Sequence, residues 1–428
     1  MSSILLNRPA QRDTAFSGQA PSVVIVGAGH AGIEVADSLR SNGHTGPVTI
    51  ISDEDCLPYQ RPPLSKEYTS AASAPQPLLL RGEQWFETNQ VEFLRGKVVH
   101  SINRRARRIS LGDGTNLPYD FLVLATGAAP RTLECVGADL AGVVTLRNMQ
   151  DAQILSDHLG EASCLVVAGA GFIGLELAAT ARQRGIDVTI VDRNERPMAR
   201  AVSATTGEWF SAAHSDAGVS FSFGDSVTAL RGENGRVQEV ETAKGRRIPA
   251  DLVVTGIGVL PRTGLAEDAG LDVDNGVVVD GNLRTSDPHI FAVGDCAVFP
   301  SARSEHPLRL ESVQNATDQA RHVAGGITGA GDDYDQVPWF WSIQGPWKLQ
   351  IAGLSAGVDR IVVREHTERK LAVFCYRNDQ LIAVETVNNP AVHMAARKIL
   401  AANVALSPEQ AADASINLKD VLASAPAA

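Results

Sequence analysis

Short runs of apolar, β-branched residues recur along the chain, and two of them open into a glycine-rich turn followed by apolar positions at helical spacing. Val23 to Arg40 (VVIVGAGHAGIEVADSLR) aligns without gaps on Leu165 to Arg182 (LVVAGAGFIGLELAATAR) at a constant offset of 142 residues, with eight identities in eighteen positions. An apolar run of strand length, a turn and then a 3.6-residue period predict strand, tight turn and helix in each copy. Each copy leads into a second β-branched strand that ends in an acid: Val48 to Ile51 before Ser52 and Asp53, and Val188 to Val191 before Asp192. Two βαβ units are implied.

The remaining pattern is arranged around these units. Residues 1 to about 20 read as a flexible tail of small and polar residues. Leu57 to Tyr68 (LPYQRPPLSKEY) is a proline-bound loop entering a helix, and Ser70 to Pro77 is a Ser/Ala/Pro connector. Val98 to Tyr119 predicts strands joined by turns at Arg104 to Arg108 and Gly112 to Gly114, with the arginines on a solvated hairpin. From Val337 onwards, alternating segments at Leu349 to Ile351, Arg360 to Arg364, Leu371 to Tyr376 and Leu381 to Val387 predict an antiparallel sheet, and Ala391 to Ala402 a helix. This last part reads as a separate α+β domain.

Composition narrows the function. The 428 residues leave room for two to four domains, and 44% hydrophobic with 20% charged residues describes a folded chain with a large core. The net charge of −11 has the wrong sign for a protein that neutralises phosphate backbones, so nucleic acid is not an expected partner. Cys56, Cys135, Cys164, Cys296 and Cys375 offer no C-x-x-C and no zinc spacing, and Cys56 and Cys296 read as structural. No secretory signal opens the chain, and Ser17, Gly18, Gln19, Pro21 and Ser22 interrupt the uncharged stretch from Thr14 to Ile33. The expectation is a cytoplasmic protein without a membrane span.

A single Gly-x-Gly-x-x-Gly is a weak signal, whereas two copies in βαβ context are a strong one. Gly27 and Gly169 allow the tight turn, Gly29 and Gly171 let the backbone approach a pyrophosphate, and Gly32 and Gly174 bring helix close to strand. The helix N-terminus then offers N–H groups and partial positive charge to phosphate. Asp53 and Asp192 stand where a carboxylate accepts hydrogen bonds from a ribose. Two dinucleotides in one chain suggest a bound flavin and an exchangeable nicotinamide.

Further segments sharpen this: LPYQRPPLSK at Leu57 to Lys66, LATGAAPR at Leu124 to Arg131, GIGVLP at Gly256 to Pro261, AVGDCA at Ala292 to Ala297, RLESVQNATDQAR at Arg309 to Arg321 and PWFWS at Pro338 to Ser342. With these, nearly the whole chain resembles the FAD-dependent NADH:ferredoxin reductases that feed bacterial cytochrome P450 and dioxygenase systems. The resemblance implies a glutathione-reductase-like α/β fold with tandem Rossmann domains. Its parts would be an FAD domain at residues 1–124 and 254–335, an inserted NAD domain at 125–253 and a C-terminal α+β interface domain at 336–428. It also implies the reaction: hydride passes from NADH to FAD, and single electrons leave to a [2Fe–2S] ferredoxin that supplies a cytochrome P450 or ring-hydroxylating oxygenase. Rubredoxin reduction is the close alternative. A redox-sensing protein like apoptosis-inducing factor, which shares the fold, is the alternative from another class.

The same resemblance places residues. FAD would be met by Gly27, Gly29, His30, Ala31, Gly32, Asp53, Glu54, Arg61, Lys66, Val99, Ala125, Thr126, Gly127, Arg131, Asp295, Val313 and Trp341, with Asp295 bonding the ribityl chain. NADH would be met by Gly169, Gly171, Phe172, Ile173, Gly174, Glu176, Asp192, Gly256, Ile257 and Gly258. Lys66 and Glu176 would form the catalytic pair beside the flavin and nicotinamide, where a carboxylate can bond the carboxamide and a lysine can support anionic reduced flavin. The protein supplies alignment and electrostatics, and the redox chemistry is the cofactors' own. Asp192 favours NADH over NADPH because a carboxylate repels a 2′-phosphate, a stronger signal than the opposing Arg193 and Arg196. Arg321, Arg397 and Lys419 would receive the acidic ferredoxin. One departure stands out: the family's usual Trp-Ser-Asp-Gln reads Trp341, Ser342, Ile343, Gln344 here. An apolar residue thus replaces a carboxylate in a loop expected near the flavin and the docking face.

Overall fold

A computed structural model describes residues 20–70 and 76–423. The expected N-terminal tail, up to residue 19, and residues 71–75 of the connector lie outside the described residues.

The two repeats each build a five-stranded parallel sheet. In the first the strand order is Ile290–Ala292, Phe121–Leu124, Val23–Val26, Val48–Ile51, Val91–Leu94. In the second it is Val219–Phe223, Asp187–Asp192, Cys164–Ala168, Leu252–Thr255, Val143–Thr145. The glycine-motif strand lies at the centre of each, and all four residues of Val23–Val26 are buried. That burial explains why these strands read as continuous apolar runs: a parallel sheet is covered on both faces. The helix His30–Ser41 covers the first sheet together with Val313–Thr328, and Phe172–Gln183 covers the second.

The chain crosses between these units twice, through an antiparallel ribbon of Ala128–Pro130 and Val259–Pro261. This corrects one domain limit. The limit at 253 falls inside the strand Leu252–Thr255, whose Val254 and Thr255 stay in register with Val167 and Ala168 on one side and with Val144 and Thr145 on the other. A division there would cut a hydrogen-bonded ladder, so that limit moves onto the ribbon, whereas the limit at 124 coincides with the end of the strand Phe121–Leu124.

The C-terminal sheet is antiparallel, ordered Trp339–Gln344, Trp347–Gly353, Gln380–Val387, Leu371–Arg377, Arg360–His366. One face packs on the helix Pro390–Ala401, through Phe374, Val384 and Ile399. The other face of this domain packs on the second unit and the proline loop. Leu349, Leu371, Val373 and Val387 share one core with Leu175, Val188 and Phe210 of the second unit and with Tyr59, Leu64 and Tyr68 of the proline loop. A second correction concerns Trp339–Gln344, which is a strand and not a loop, so Ile343 points outward between buried Ser342 and Gln344. The hairpin arginines are not all solvated either: Arg104 bonds Asp287 at 2.9 Å and the Gly270 carbonyl at 2.9 Å.

Candidate active site

Each glycine motif serves two different demands, and the structure separates them. A Cβ on Gly27 would stand 2.2 Å from the Ala125 carbonyl oxygen, and one on Gly32 would stand 1.9 Å from the Gly27 carbonyl oxygen. Those two glycines are therefore required by the protein's own backbone. Gly29 has an ordinary φ of −76°, and a Cβ there would meet nothing within 4 Å. Nothing in the chain demands glycine at 29, and the space beside it leaves the helix N-terminus open to a close approach of the kind a pyrophosphate makes. The second motif repeats the division: Gly169 and Gly174 are pressed by the Gly256 and Gly169 carbonyls, at 2.3 Å and 2.2 Å, while Gly171 is clear to 4.0 Å. The residues present fit two dinucleotides. In both units the carbonyl pressing the first glycine lies just past the strand beside the central one, at Ala125 before Thr126 and Gly127 or at Gly256 before Ile257 and Gly258.

Around the first cradle the polar groups hold one another. Glu54 accepts from the Tyr59 hydroxyl at 2.5 Å and from Arg61 at 2.5 Å, and Arg61 also donates to the Arg147 carbonyl at 2.7 Å. Arg147 reaches Asp295 at 2.9 Å, and Arg262 reaches Asp53 at 3.0 Å. His30 starts the helix of the cradle, and its pKa is pushed down to about 4, first by burial and then by Arg61. It is a neutral imidazole at pH 7. Ala31 and Val99 are buried in the first core, and Val313 starts the helix Val313–Thr328.

At the second cradle Asp192 already holds backbone. Its Oδ2 accepts from the Ala170 N–H at 2.6 Å, and its Oδ1 accepts from the Asn194 N–H at 2.7 Å. The Asn194 side-chain amide also donates to Oδ1 at 2.8 Å, and of a carboxylate's roughly four lone-pair sites about one remains for a ribose hydroxyl. Phe172 packs on Phe340 of the C-terminal sheet with ring centroids 4.4 Å apart, while Ile173 is exposed. Arg193 and Arg131 are exposed, and the Arg131 backbone N–H donates to the Gly258 carbonyl at 2.9 Å.

The two units meet at Lys66 and Glu176. The proline pair places Lys66 just after a short 3-10 turn, Pro62–Ser65, and Glu176 lies in the second turn of Phe172–Gln183. Their side chains are 2.6 Å apart, with Lys66 14% and Glu176 6% exposed. Ser65 donates to the same Glu176 oxygen at 2.5 Å, and Ser342 donates to the other at 2.7 Å, beside the Ile343 N–H at 3.3 Å. One carboxylate is thus held by all three structural units. Ser65, Ser342, Arg147 and Arg262 were not among the expected site residues. A signal existed for Ser342: in a strand reading of WFWSIQ, alternation puts Ser342 and Gln344 on one face.

On the outer side, Arg321 pairs with Glu34 at 2.6 Å and with Asp318 at 3.6 Å, and remains 61% exposed. Arg397 lies over the Trp339 ring, 4.1 Å from its centroid, and Trp341 is 5.4 Å from Trp339. Asp318 senses both arginines. Lys419 is exposed on the helix Leu418–Ala423, which packs on the helix Pro390–Ala401 that carries Arg397.

Residues 21–320 match the family model for pyridine nucleotide-disulphide oxidoreductases and residues 339–422 the reductase C-terminal model; the chain belongs to this family. Its relatives include ferredoxin reductases and, at 39% identity over 86% of this chain and 96% of that one, the rubredoxin-NAD(+) reductase of Pseudomonas putida. It is 49% identical to rhodocoxin reductase of Rhodococcus erythropolis, over 94% of each chain. It is 38% identical to putidaredoxin reductase of Pseudomonas putida, over 95% of this chain and 98% of that one. Among solved structures, the ferredoxin reductase for the CYP199A2 system of Rhodopseudomonas palustris superposes with a TM-score of 0.92 at 46% identity, covering 94% of this chain and 99% of that one. The glutathione-reductase-like tandem fold with FAD and NADH is that of the family. All five cysteines are free, with Cys296 and Cys375 buried and Cys56, Cys135 and Cys164 half-buried. No helix among the described residues is long and apolar enough to cross a membrane.

Proposed function

We infer that the chain is an FAD-dependent NADH:ferredoxin reductase whose electrons go to a [2Fe–2S] ferredoxin serving a cytochrome P450 or ring-hydroxylating oxygenase, and that it works in the cytoplasm. The observation that carries this reading is the buried 2.6 Å contact of Lys66 with Glu176, made where two dinucleotide cradles converge. FAD, when bound, supplies the exchange between a two-electron donor and a one-electron acceptor. Gly27, Gly29 and Gly32 would hold its pyrophosphate side, and Asp295, fixed by Arg147, its ribityl side. Gly169, Gly171 and Gly174 would hold NADH, with Asp192 turned to its ribose. Glu176 orients the nicotinamide amide through a carboxylate that cannot rotate, because both of its oxygens are already bonded. Lys66 keeps positive charge at the edge where negative charge develops. The surface formed by exposed Arg321 with half-buried Arg397, Trp339 and Trp341 receives the acidic partner.

The test is NADH-driven reduction of cytochrome c with a panel of ferredoxins and rubredoxins. Saturable turnover with a [2Fe–2S] ferredoxin is expected. Faster turnover with every rubredoxin, or slow NADH oxidation with all acceptors, contradicts the reading.

A further inference from the structure

Glu176 is the end of a longer chain of buried polar groups. The Ser342 hydroxyl donates to Glu176 Oε1 at 2.7 Å, the Gln344 amide Nε2 lies 3.2 Å from Ser342 Oγ, and the Gln344 Oε1 lies 2.8 Å from His214 Nε2. Ser342, Gln344 and His214 have 0% exposure and Glu176 has 5%, so the line of groups is closed off from bulk solvent. The surroundings are apolar: Met198, Phe210 and Trp347 belong to or pack against the same core. Leucine at 344 and phenylalanine at 214 would fill such a core without the cost of desolvating an amide and an imidazole.

The chain has a direction. The Gln344 amide also points its nitrogen at Met198 Sδ, 3.6 Å away. With nitrogen on that side, its oxygen faces His214, which must carry its proton on Nε2. His214 Nδ1 is then a buried acceptor without a partner among the described residues. The flipped amide would instead leave Nδ1–H as a buried orphan donor, the rarer arrangement. Receiving a proton from Gln344, Ser342 has its own proton free for Glu176. Each group therefore sets the orientation of the next.

We propose that His214, Gln344 and Ser342 are positioning residues that hold the Glu176 carboxylate in the orientation in which it meets the nicotinamide. The inference rests on the reading of Glu176 given above. It assigns the C-terminal sheet a part in NADH handling, through the inward face of Trp339–Gln344, and it reaches His214 on the helix Ala204–Asp216.

The discriminating variant is Gln344→Glu. It preserves size and the acceptor towards His214 but replaces the donor towards Ser342 by an acceptor, so the hydroxyl turns away from Glu176. NAD⁺ affinity of the oxidised holoenzyme and the rate of flavin reduction by NADH are measured, along with flavin content and thermal midpoint. Expected is a loss of about three- to tenfold in affinity or rate, the size of one hydrogen bond, with flavin content unchanged. Gln344→Leu and Ser342→Ala should give the same loss, and combining Ser342→Ala with Gln344→Leu should add nothing, because one line of action is broken twice. Normal affinity and rate in Gln344→Glu, or full additivity in the double variant, overturns the relay while Glu176→Gln remains impaired. Normal NADH handling in Glu176→Gln overturns the reading of Glu176 and the relay with it.

Discussion

Ser203 and Glu385 join two structural units through both oxygens of one carboxylate. The Ser203 N–H donates to Oε1 at 2.8 Å and its hydroxyl donates to Oε2 at 2.7 Å. Ser203 is the N-cap of the helix Ala204–Asp216, and Glu385 belongs to the C-terminal strand Gln380–Val387. Glu385 is fully buried with no lysine or arginine paired to it among the described residues, so the helix N-terminus supplies the positive end that a buried carboxylate needs. Replacement by Ala should cost about 1–3 kcal/mol, the price of leaving the Ser203 groups unpaired in the core. Thermal unfolding checks this: Glu385→Ala should melt lower with flavin still bound, and an unchanged midpoint contradicts it.

The glycines should separate under substitution by alanine. Gly32→Ala places a methyl 1.9 Å from the Gly27 carbonyl and should lower stability strongly. Gly29→Ala meets no protein atom within 4 Å, so it should fold and purify with little FAD. Gly171→Ala should keep FAD and lose NADH affinity. Flavin absorbance and thermal midpoint, measured together, decide; normal flavin content in Gly29→Ala rules out the pyrophosphate role.

Asp192 should make the enzyme NADH-selective, since its charge stands against a 2′-phosphate. Asp192→Asn keeps an acceptor for the Ala170 N–H and removes the charge, so the NADPH to NADH ratio of kcat/KM should rise, chiefly through KM. Equal kcat/KM for both nucleotides in the unmodified enzyme sinks this prediction.

Arg321 is 61% exposed although paired with Glu34, so its charge is available to a partner. Arg321→Glu should raise the ferredoxin KM and flatten its salt dependence, since screening acts over about 10 Å at 0.1 M. NADH-to-ferricyanide activity should be retained, because a small acceptor needs no docking face. A parallel loss of both activities would place Arg321 in support of the flavin site instead.

Stability should fall on mild acidification. His30, His214 and His393 are each pushed down from 6.5 to about 4, above all by burial. Between these values the unfolded chain binds more protons than the folded one, so stability rises with pH across that window and is complete above about 6.5. The thermal midpoint should therefore drop between pH 6.5 and pH 4. A smaller drop is expected in His214→Phe, and a flat profile in the unmodified protein would contradict the assignment.

Much of this molecule was legible in linear pattern. A parallel strand buried on both faces must be apolar throughout, and a strand-to-helix turn that touches its neighbour must be glycine, so the two βαβ units show as a repeat at a spacing of 142 residues. The alternation after Leu349 and the apolar spacing after Ala391 likewise predict the observed sheet and helix, because those periods follow from local backbone geometry. Trp339–Gln344 escaped because two tryptophans and a phenylalanine mask its alternation, and the domain limit was misplaced because partner strands leave no mark on a single strand's sequence.

The repeat also shows where local pattern ends. Glu34 and Glu176 occupy the same position in the two equivalent helices, one repeat of 142 residues apart. Glu34 pairs at the surface with Arg321, whereas Glu176 is buried against Lys66, Ser65 and Ser342. Identical residues in identical local structure thus have different surroundings. The difference comes from which distant segments fold over each helix: Val313–Thr328 beside the first, and the proline loop with Trp339–Gln344 over the second. Burial and partners are long-range properties, set by packing between segments hundreds of residues apart, and only the tertiary structure carries them.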